Sequence, residues 1–315
     1  MLFYISEKAG RSPGKVKGIM SEEAIKYIDR TTGRVCTETV MGDGALRFAY
    51  QTLLGRSLWG ILFGGRFFSA LMGKYYDSAM SAAKIETLAN IPGCRSEEAE
   101  FPLEHYDTFN EFFARRLKPG SRPVPEGEGL LLSPADARLT VFHGIAPIGA
   151  VPVKGALRTI SELCRRPLPE RCHVAVFRLA PVDYHRFHYP CSCEQESAPE
   201  LFRGRYHSVN PVALKRHPEI FVENTRQITQ LVSPEFGTFY QIEVGAFGVG
   251  SIVQTSQPGS HAANEEKGYF KFGGSTVILV MPAERAVFDA DLVKNSAAGV
   301  ETLVRCGMKI GNCLR

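Results

Sequence analysis

The stretch Lys271–Val280, KFGGSTVILV, places two glycines, a serine and a threonine directly before an apolar run rich in β-branched residues. Such a run is typical of a buried strand. Glycines ahead of a strand indicate a bulge or a close approach of two backbones. The stretch contains neither GxGxxG nor GxxxxGK[ST], so it does not predict a phosphate loop. Ser275 therefore stands at the entrance of a predicted strand, after the most flexible backbone in the segment.

Strand signals of the same kind recur from about Leu130 onward, in runs rich in Val, Ile, Thr and Phe that Gly, Pro and Asn separate. The first third favours helices instead. Ser21–Arg30 resembles a short capped helix, and Thr108 with Glu111 forms a capping-box pattern. We therefore predict an α+β fold, with a helical region at residues 1–115 packed on a mostly antiparallel β domain at residues 116–315.

The composition is that of an ordinary globular protein: 315 residues, 44% hydrophobic and 22% charged. A net charge of +4 gives no reason to expect a nucleic-acid partner. The eight cysteines include no CxxC pair, which favours reduced thiols in an intracellular protein. The first residues do not resemble a secretory signal. No uncharged apolar run approaches the roughly 20 residues of a spanning helix.

The region Ala45–Tyr76 contains four cations and no acidic residue, with apolar residues at helical spacing. Two interpretations remain open. The region forms core or dimer-interface helices whose arginines extend to solvent, or it lies on an anionic membrane surface with its aromatic residues among the headgroups.

Three reactive side chains lie in separate segments of the predicted β domain. The segment YHRFH contains His185 and His188, Asp136 sits in a turn, and Ser275 precedes its strand. A metal site is disfavoured, because HxxH is not the i, i+4 pair of a helical zinc motif. Each residue alone also fits a structural role. Together a serine, a histidine and an aspartate are the parts of a nucleophile-activating triad.

The surroundings of Ser275 differ from the GxSxG elbow of α/β-hydrolases. A serine after two glycines is suited to attack on the preceding carbonyl, that of Gly274. Such an N→O acyl shift needs a distorted peptide, which glycine tolerates, and a base for the hydroxyl proton.

The sequence resembles the phosphatidylserine decarboxylase family. The resemblance covers most of the chain from about Phe109 to Gly311 and rests on seven motifs in the family's order: FNEFFARRLKPGSRP, SPADARL, YHRFH, YHSVNPVAL, VGAFGVGSI, KGYFKFGGST and NSAAGVETLVRCGMKIG. The basic apolar region before them is also similar to the family's N-terminal helices.

The resemblance implies an enzyme that cuts itself between Gly274 and Ser275. The products are a β subunit, residues 1–274, and an α subunit, residues 275–315, whose first residue becomes a pyruvoyl group. The family's processing triad falls on Asp136, His188 and Ser275, with His188, oriented by Asp136, as the base for Ser275. The match also assigns His185 to the decarboxylation cycle, where we expect it to return a proton to the substrate.

The implied activity is conversion of phosphatidylserine to phosphatidylethanolamine and CO2. Decarboxylation leaves an electron pair next to nitrogen, and a pyruvoyl carbonyl can accept it. The resemblance further implies a homodimer of processed protomers that binds the cytoplasmic face of the cell membrane peripherally. No metal is expected.

The sequence departs from the family's pattern in two motifs, those that contain Ser275 and Asp136. GGST replaces the commoner LGST and is a recognised variant. Ala137 stands where the family's SPADG has glycine; if that glycine needs a positive φ, the Asp136 loop must shift and processing should slow.

Two rival functions fit the same residues. One is a serine hydrolase or esterase that uses Ser275, His188 and Asp136, and the other is a non-catalytic lipid-binding module. A chain that stays whole would favour either rival.

Overall fold

The computed structural model describes residues 25–38, 66–147, 150–153, 156–203, 225–245, 252–273 and 275–314. Within these ranges antiparallel strands dominate and helices are short. The predicted α+β class with a β-rich domain is therefore confirmed. Gly274 and residues 45–65 of the predicted interfacial region lie outside the described residues.

The described strands, numbered in chain order, are β1 (Lys26–Asp29), β2 (Val35–Thr37), β3 (Leu130–Leu132), β4 (Ala137–Ile145), β5 (Ala150–Val153), β6 (Ala156–Thr159), β7 (Cys172–Leu179), β8 (Arg186–His188), β9 (Cys193–Gln195), β10 (Glu200–Phe202), β11 (Arg226–Ser233), β12 (Gly237–Gly245), β13 (Ile252–Gln254), β14 (Gly259–His261), β15 (Glu266–Phe270), β16 (Ser275–Pro282), β17 (Ala286–Phe288), β18 (Glu301–Val304) and β19 (Lys309–Cys313).

The described α-helices are α1 (Arg66–Tyr76), α2 (Ile85–Ala89), α3 (Phe109–Phe113), α4 (Ile160–Cys164) and α5 (Ala290–Ala297). Short 3-10 helices cover Ala79–Lys84, Ser96–Glu98 and Leu103–His105. The predicted capping box is confirmed at the start of α3, where the Thr108 hydroxyl accepts from the Glu111 backbone and the Glu111 carboxylate accepts from the Thr108 backbone.

The largest sheet has the order β14-β9-β11-β12-β16-β7-β4-β18-β1-β2, and β10 also pairs with β11. Every pair is antiparallel except β1 with β18. The predicted strand after the two glycines is β16, which lies in the middle between β12 and β7. All its residues are buried, as a nearly continuous apolar run requires.

The two faces of this sheet bury separate cores, and β16 contributes to both because successive side chains alternate. Val277 and Leu279 pack on the face that also holds Phe177. Ile278 and Val280 pack on the opposite face with residues of α4.

Two three-stranded sheets, β13-β15-β8 and β17-β19-β3, cover the first of these faces. Phe187 of β8, Phe270 of β15 and Ile310 of β19 are buried in the same core as Val277. By alternation Ser275 belongs to this covered face as well. β8, which ends at His188, and β16, which begins at Ser275, therefore lie in stacked layers that share one core.

A third cluster of buried side chains joins the first helices to the β domain. Tyr76 of α1 and three phenylalanines of α3 pack with Val182 and with Phe272, which lies just before the glycines. The Phe272 ring meets those of Tyr76, Phe109 and Phe113 edge-on, with centroids 4.6, 5.0 and 5.2 Å away. The helices therefore contact the segment that leads to Ser275.

The predicted helix at Ser21–Arg30 is wrong for its described part. Lys26–Asp29 is strand β1, which pairs in parallel with β18 and antiparallel with β2. A helical sequence pattern in so short a segment expresses only a weak propensity to form a helix, and pairing with β18 and β2 overrides it. As a result, part of the predicted N-terminal region extends the main sheet.

No helix in the described part of the chain is long and apolar enough to cross a membrane. Helix α1 covers the end of the region that the sequence predicts to be interfacial, and Leu71 on it is 54% exposed. The domain boundary at residue 115 remains a prediction.

Candidate active site

Ser275 is the first residue of β16 and is held on both sides by the sheet. Its ladder partners are Gly245 of β12 and Leu179 of β7. The side chain is fully buried, and its hydroxyl has no hydrogen-bond partner among the described residues. Buried hydroxyl groups usually have a partner, so this oxygen is a candidate for a chemical role, although the hydroxyl of Thr276 beside it also has no partner among the described residues.

Lys271 and Phe272, which precede the two glycines, are held by contacts with the helical region. The Phe272 backbone N–H donates to the Asn110 side chain at 2.9 Å, and Lys271 forms an ion pair with Asp77 at 2.8 Å. Asn110 also donates to Asp77, which links the two contacts. Gly273 has a φ of 151°, a conformation that residues with a side chain rarely adopt. The chain thus reaches the Gly274–Ser275 bond through an anchored segment and a glycine-only conformation.

His188 ends β8, opposite Glu266 of β15. Its Nδ1 lies 2.8 Å from the Asn264 carbonyl oxygen, and its Nε2 lies 3.2 Å from the Tyr184 hydroxyl. A carbonyl can only accept, so Nδ1 carries the proton and Nε2 keeps a lone pair. Burial lowers the pKa of His188, against a smaller opposing effect of the Asn264 carbonyl. The ring is therefore neutral near pH 7 and can act as a base.

Asp136 lies close to His188 along the backbone but is bonded elsewhere. The His188 N–H donates to the Pro134 carbonyl at 2.8 Å. The Asp136 carboxylate accepts from the Arg122 guanidinium at 2.8 and 2.5 Å, and from the Cys306 backbone at 2.8 Å. Within the described residues it has no hydrogen bond to His188. The structure therefore brings the two residues into one loop cluster without the direct contact that the family resemblance implies.

His185 is fully buried, and its ring lies 3.8 Å from that of Phe113, centroid to centroid. Its Nδ1 donates to the Asp183 carbonyl at 2.9 Å, and its Nε2 has no partner among the described residues. Burial lowers the pKa of His185 to about 3. The ring is therefore neutral in this arrangement, so the protonated state that we expected for its role in decarboxylation is not the resting one.

Phe113 connects the two halves of the site. Its ring contacts His185 and also meets the Phe272 ring, three residues before Ser275. His185 and the segment leading to the Gly274–Ser275 bond therefore both contact the same aromatic ring, that of Phe113.

Asp183 is a residue that sequence reasoning missed. Its carboxylate accepts from the Ala180 backbone at 2.6 Å and from Arg138, and its carbonyl fixes His185. Ala180 directly follows Leu179, the ladder partner of Ser275. Asp183 thus sets the turn between the strand beside Ser275 and the histidine segment. The sequence signal that could have identified Asp183 is an acidic residue shortly after an apolar strand and two positions before a histidine.

The partners of His188 and Asp136 were also missed. Tyr184 is buried, and its hydroxyl bonds to His188. The Cys306 thiol donates to the Asn264 side chain at 3.3 Å. Asn264 has a φ of 63°, and an asparagine in a polar loop is a common signal for this conformation.

Ala137 does not require the conformational freedom of glycine here. It begins β4, opposite Val304, and positive φ among described non-glycine residues occurs only at Arg165 and Asn264. The predicted shift of the Asp136 loop is therefore not needed, since an alanine fits the strand.

Comparison with known proteins identifies the family to which this site belongs. The profile of the phosphatidylserine decarboxylase family matches residues 109–312. A phosphatidylserine decarboxylase proenzyme of Chlamydia trachomatis serovar L2 is 38% identical over 297 residues, which cover 93% of this chain and 98% of the relative. That of Clostridium novyi is 38% identical over 92% of this chain and 100% of the relative.

A third relative, phosphatidylserine decarboxylase proenzyme 2 of Saccharomyces cerevisiae, is 42% identical over 78% of this chain and 22% of its own length. The chain belongs to the phosphatidylserine decarboxylase family. This is a family of decarboxylases whose curated members are named as proenzymes.

Proposed function

We propose that this chain cuts itself between Gly274 and Ser275 and then converts phosphatidylserine to phosphatidylethanolamine and CO2. The observation that carries the proposal is Ser275, a fully buried serine at the first position of a central strand, whose hydroxyl has no partner in the described part of the chain. The relatives' names supply the reaction, and the word proenzyme in them agrees with a maturation step.

The cutting step uses groups of this chain alone. The Ser275 oxygen attacks the Gly274 carbonyl carbon, and its proton passes to Nε2 of a neutral His188. The peptide C–N bond then breaks as His188 gives that proton to the departing Ser275 nitrogen, which leaves an ester and a free amine. A base takes the Ser275 α-proton as the Gly274 carboxylate leaves, which gives a dehydroalanine. Water adds to this residue and ammonia departs, which leaves a pyruvoyl group at the start of the α subunit.

The surroundings of Ser275 fit such a group. A carbonyl at this position would lie at the start of a buried strand, where the packed side chains around it shield it from water. When formed, the pyruvoyl group supplies the carbonyl that accepts the electron pair left by CO2. His185, whose Nε2 has no partner among the described residues and whose ring packs against Phe113, is the residue of this chain that we assign to proton transfer in that reaction.

A serine hydrolase remains the rival enzyme, and the burial of Ser275 disfavours it. A hydrolase must admit an external ester to its serine, whereas the side chain of Ser275 is fully buried. Attack on the neighbouring Gly274 carbonyl needs no such access.

The function is tested with purified protein, short-chain phosphatidylserine and detergent, by measuring CO2 and phosphatidylethanolamine. We expect activity that sodium borohydride or hydroxylamine abolishes, because both reagents consume a carbonyl. Activity that resists both reagents, or hydrolysis of an ester without CO2, would contradict the proposal. A protein that binds the lipid but releases no product would favour the non-catalytic module.

We also propose that the processed β and α subunits form a homodimer on the cytoplasmic face of the cell membrane. The support is the family resemblance, together with the cationic region Ala45–Tyr76 and the need to reach a diacyl substrate at a bilayer. We expect deletion of residues 45–65 to release the protein from anionic vesicles in a co-sedimentation assay. Unchanged co-sedimentation would reject this role for the region.

A further inference from the structure

The orientation of the His188 ring depends on a carbonyl rather than on a carboxylate. Its Nδ1 donates to the Asn264 carbonyl at 2.8 Å. This bond selects the neutral tautomer in which Nε2 carries the lone pair. If the proton moved to Nε2, the ring would have no basic nitrogen on that side. The Asn264 carbonyl therefore decides whether His188 can take a proton at Nε2.

Asn264 is held in an uncommon conformation by contacts on both sides. Its φ is 63°, in the left-handed region that asparagine tolerates better than most residues. Its N–H donates to the Tyr189 carbonyl at 2.9 Å. Its side-chain oxygen accepts from the Cys306 thiol at 3.3 Å. A Cβ at Gly307 would lie 3.2 Å from the Asn264 amide, so the glycine leaves room for that side chain.

Cys306 is in turn fixed by Asp136, whose carboxylate accepts from the Cys306 backbone N–H at 2.8 Å. The order of contacts is thus Asp136 to Cys306, Cys306 to Asn264, and Asn264 to His188. This series connects the acid to the base over two intervening residues, although no direct hydrogen bond joins them.

We propose that Asn264 and Cys306 are positioning residues for His188 in the self-cleavage reaction: the Cys306 thiol holds the Asn264 side chain, and the Asn264 carbonyl holds the Nδ1 proton. The inference rests on the proposed function, because it concerns the base of the cutting step. It also gives Asp136 a part in processing that acts through Cys306.

The test follows self-cleavage of the full-length chain over time after cell-free synthesis, on denaturing gels, from about pH 5 to pH 8. Cys306→Ala removes the thiol donor, and we expect its cleavage rate to fall about 3- to 10-fold, the range of one lost hydrogen bond. Cys306→Ser keeps a donor and should restore most of the rate. Cys164→Ala, which removes another buried thiol in the opposite core, should cleave like the wild type.

The pH profile separates positioning from a general structural defect. The titratable and charged groups that face His188 are Tyr184, Glu266, Asp136 and Arg186. Cleavage needs neutral His188, so the wild-type rate should fall only below the ordinary histidine pKa of 6.5, because burial lowers the pKa of His188. The Asn264 hydrogen bond opposes that lowering. Cys306→Ala should therefore reach a lower plateau with its midpoint moved to lower pH.

A double-mutant cycle supplies the second measurement. Asn264→Gly keeps the left-handed backbone and the carbonyl but removes the amide that the thiol holds. Since both changes break the same bond, the double variant should cleave no slower than the slower single variant. Additive losses, or a Cys306→Ala chain with the wild-type rate and midpoint, would overturn the inference. A wild-type chain that stays whole would instead refute the proposed function, so the two failures are distinct.

Discussion

Ser275→Ala is expected to leave the polypeptide in one piece. Without the hydroxyl there is no nucleophile for the Gly274 carbonyl, and loss of a catalytic serine costs about 10⁶-fold in a serine hydrolase. The wild type should give a large fragment and a small C-terminal fragment. The small one should resist Edman degradation, because a pyruvoyl group has no amine. Intact mass spectrometry of the two purified proteins measures the difference, and the variant should also release no CO2.

Ser233→Ala is the matched control for this experiment. Ser233 is likewise a buried serine in the main sheet, at the end of β11, and its hydroxyl bonds to Glu235. We expect this variant to be cut and active like the wild type. A Ser275→Ala chain that is still cut at the same bond would show that another residue attacks it, and the proposed maturation would be wrong.

Lys267→Met is expected to cause the largest loss of stability. Lys267 and Glu243 are both fully buried and form an ion pair at 3.0 Å, with Gln254 bonded to each of them. Removing the lysine leaves a carboxylate in the core without its partner, which costs about 3–5 kcal/mol. Burial already raises the pKa of Glu243, so the carboxyl should take up a proton instead of staying charged. Urea unfolding in the uncut Ser275→Ala chain measures the loss.

The double variant Lys267→Met with Glu243→Gln distinguishes an unpaired charge from lost packing. It removes both charges, so most of the stability should return. Arg166→Met, which breaks the exposed pair with Glu200, should change the free energy of unfolding by less than about 1 kcal/mol. A Lys267→Met chain as stable as its parent would contradict the importance of the buried pair.

The sequence predicted elements whose signals are local. The strand that begins at Ser275 and the capping box at Thr108 were both found, since apolar runs and caps depend on neighbouring residues. The helix predicted at Ser21–Arg30 failed where described, because Lys26–Asp29 pairs with β18, far along the chain. Pairing at such a separation leaves no local pattern to read.

The motifs identified the candidate residues, but they did not predict which residues these side chains contact. β8, which ends at His188, packs over the face of the sheet to which Ser275 belongs, and His185 lies against Phe113. The Asp136 carboxylate, however, bonds to Arg122 and Cys306. Which partner a carboxylate takes depends on tertiary packing, which a single sequence does not encode locally. The same reason hid Asn264, whose part is played by its backbone carbonyl and not by its side chain.

The sheet topology determines how the two pieces of the chain would be held together after the proposed cut between Gly274 and Ser275. The segment after the cut contributes β16 to the middle of the main sheet, β18 to the same sheet between β4 and β1, and β19 to a smaller sheet beside β3. β16 and β18 each lie between two strands of the long piece, and β19 pairs with one, β3. If the chain is cut as we propose, the short piece therefore stays paired with the long one in both sheets, and the cut creates two chain ends without releasing either piece.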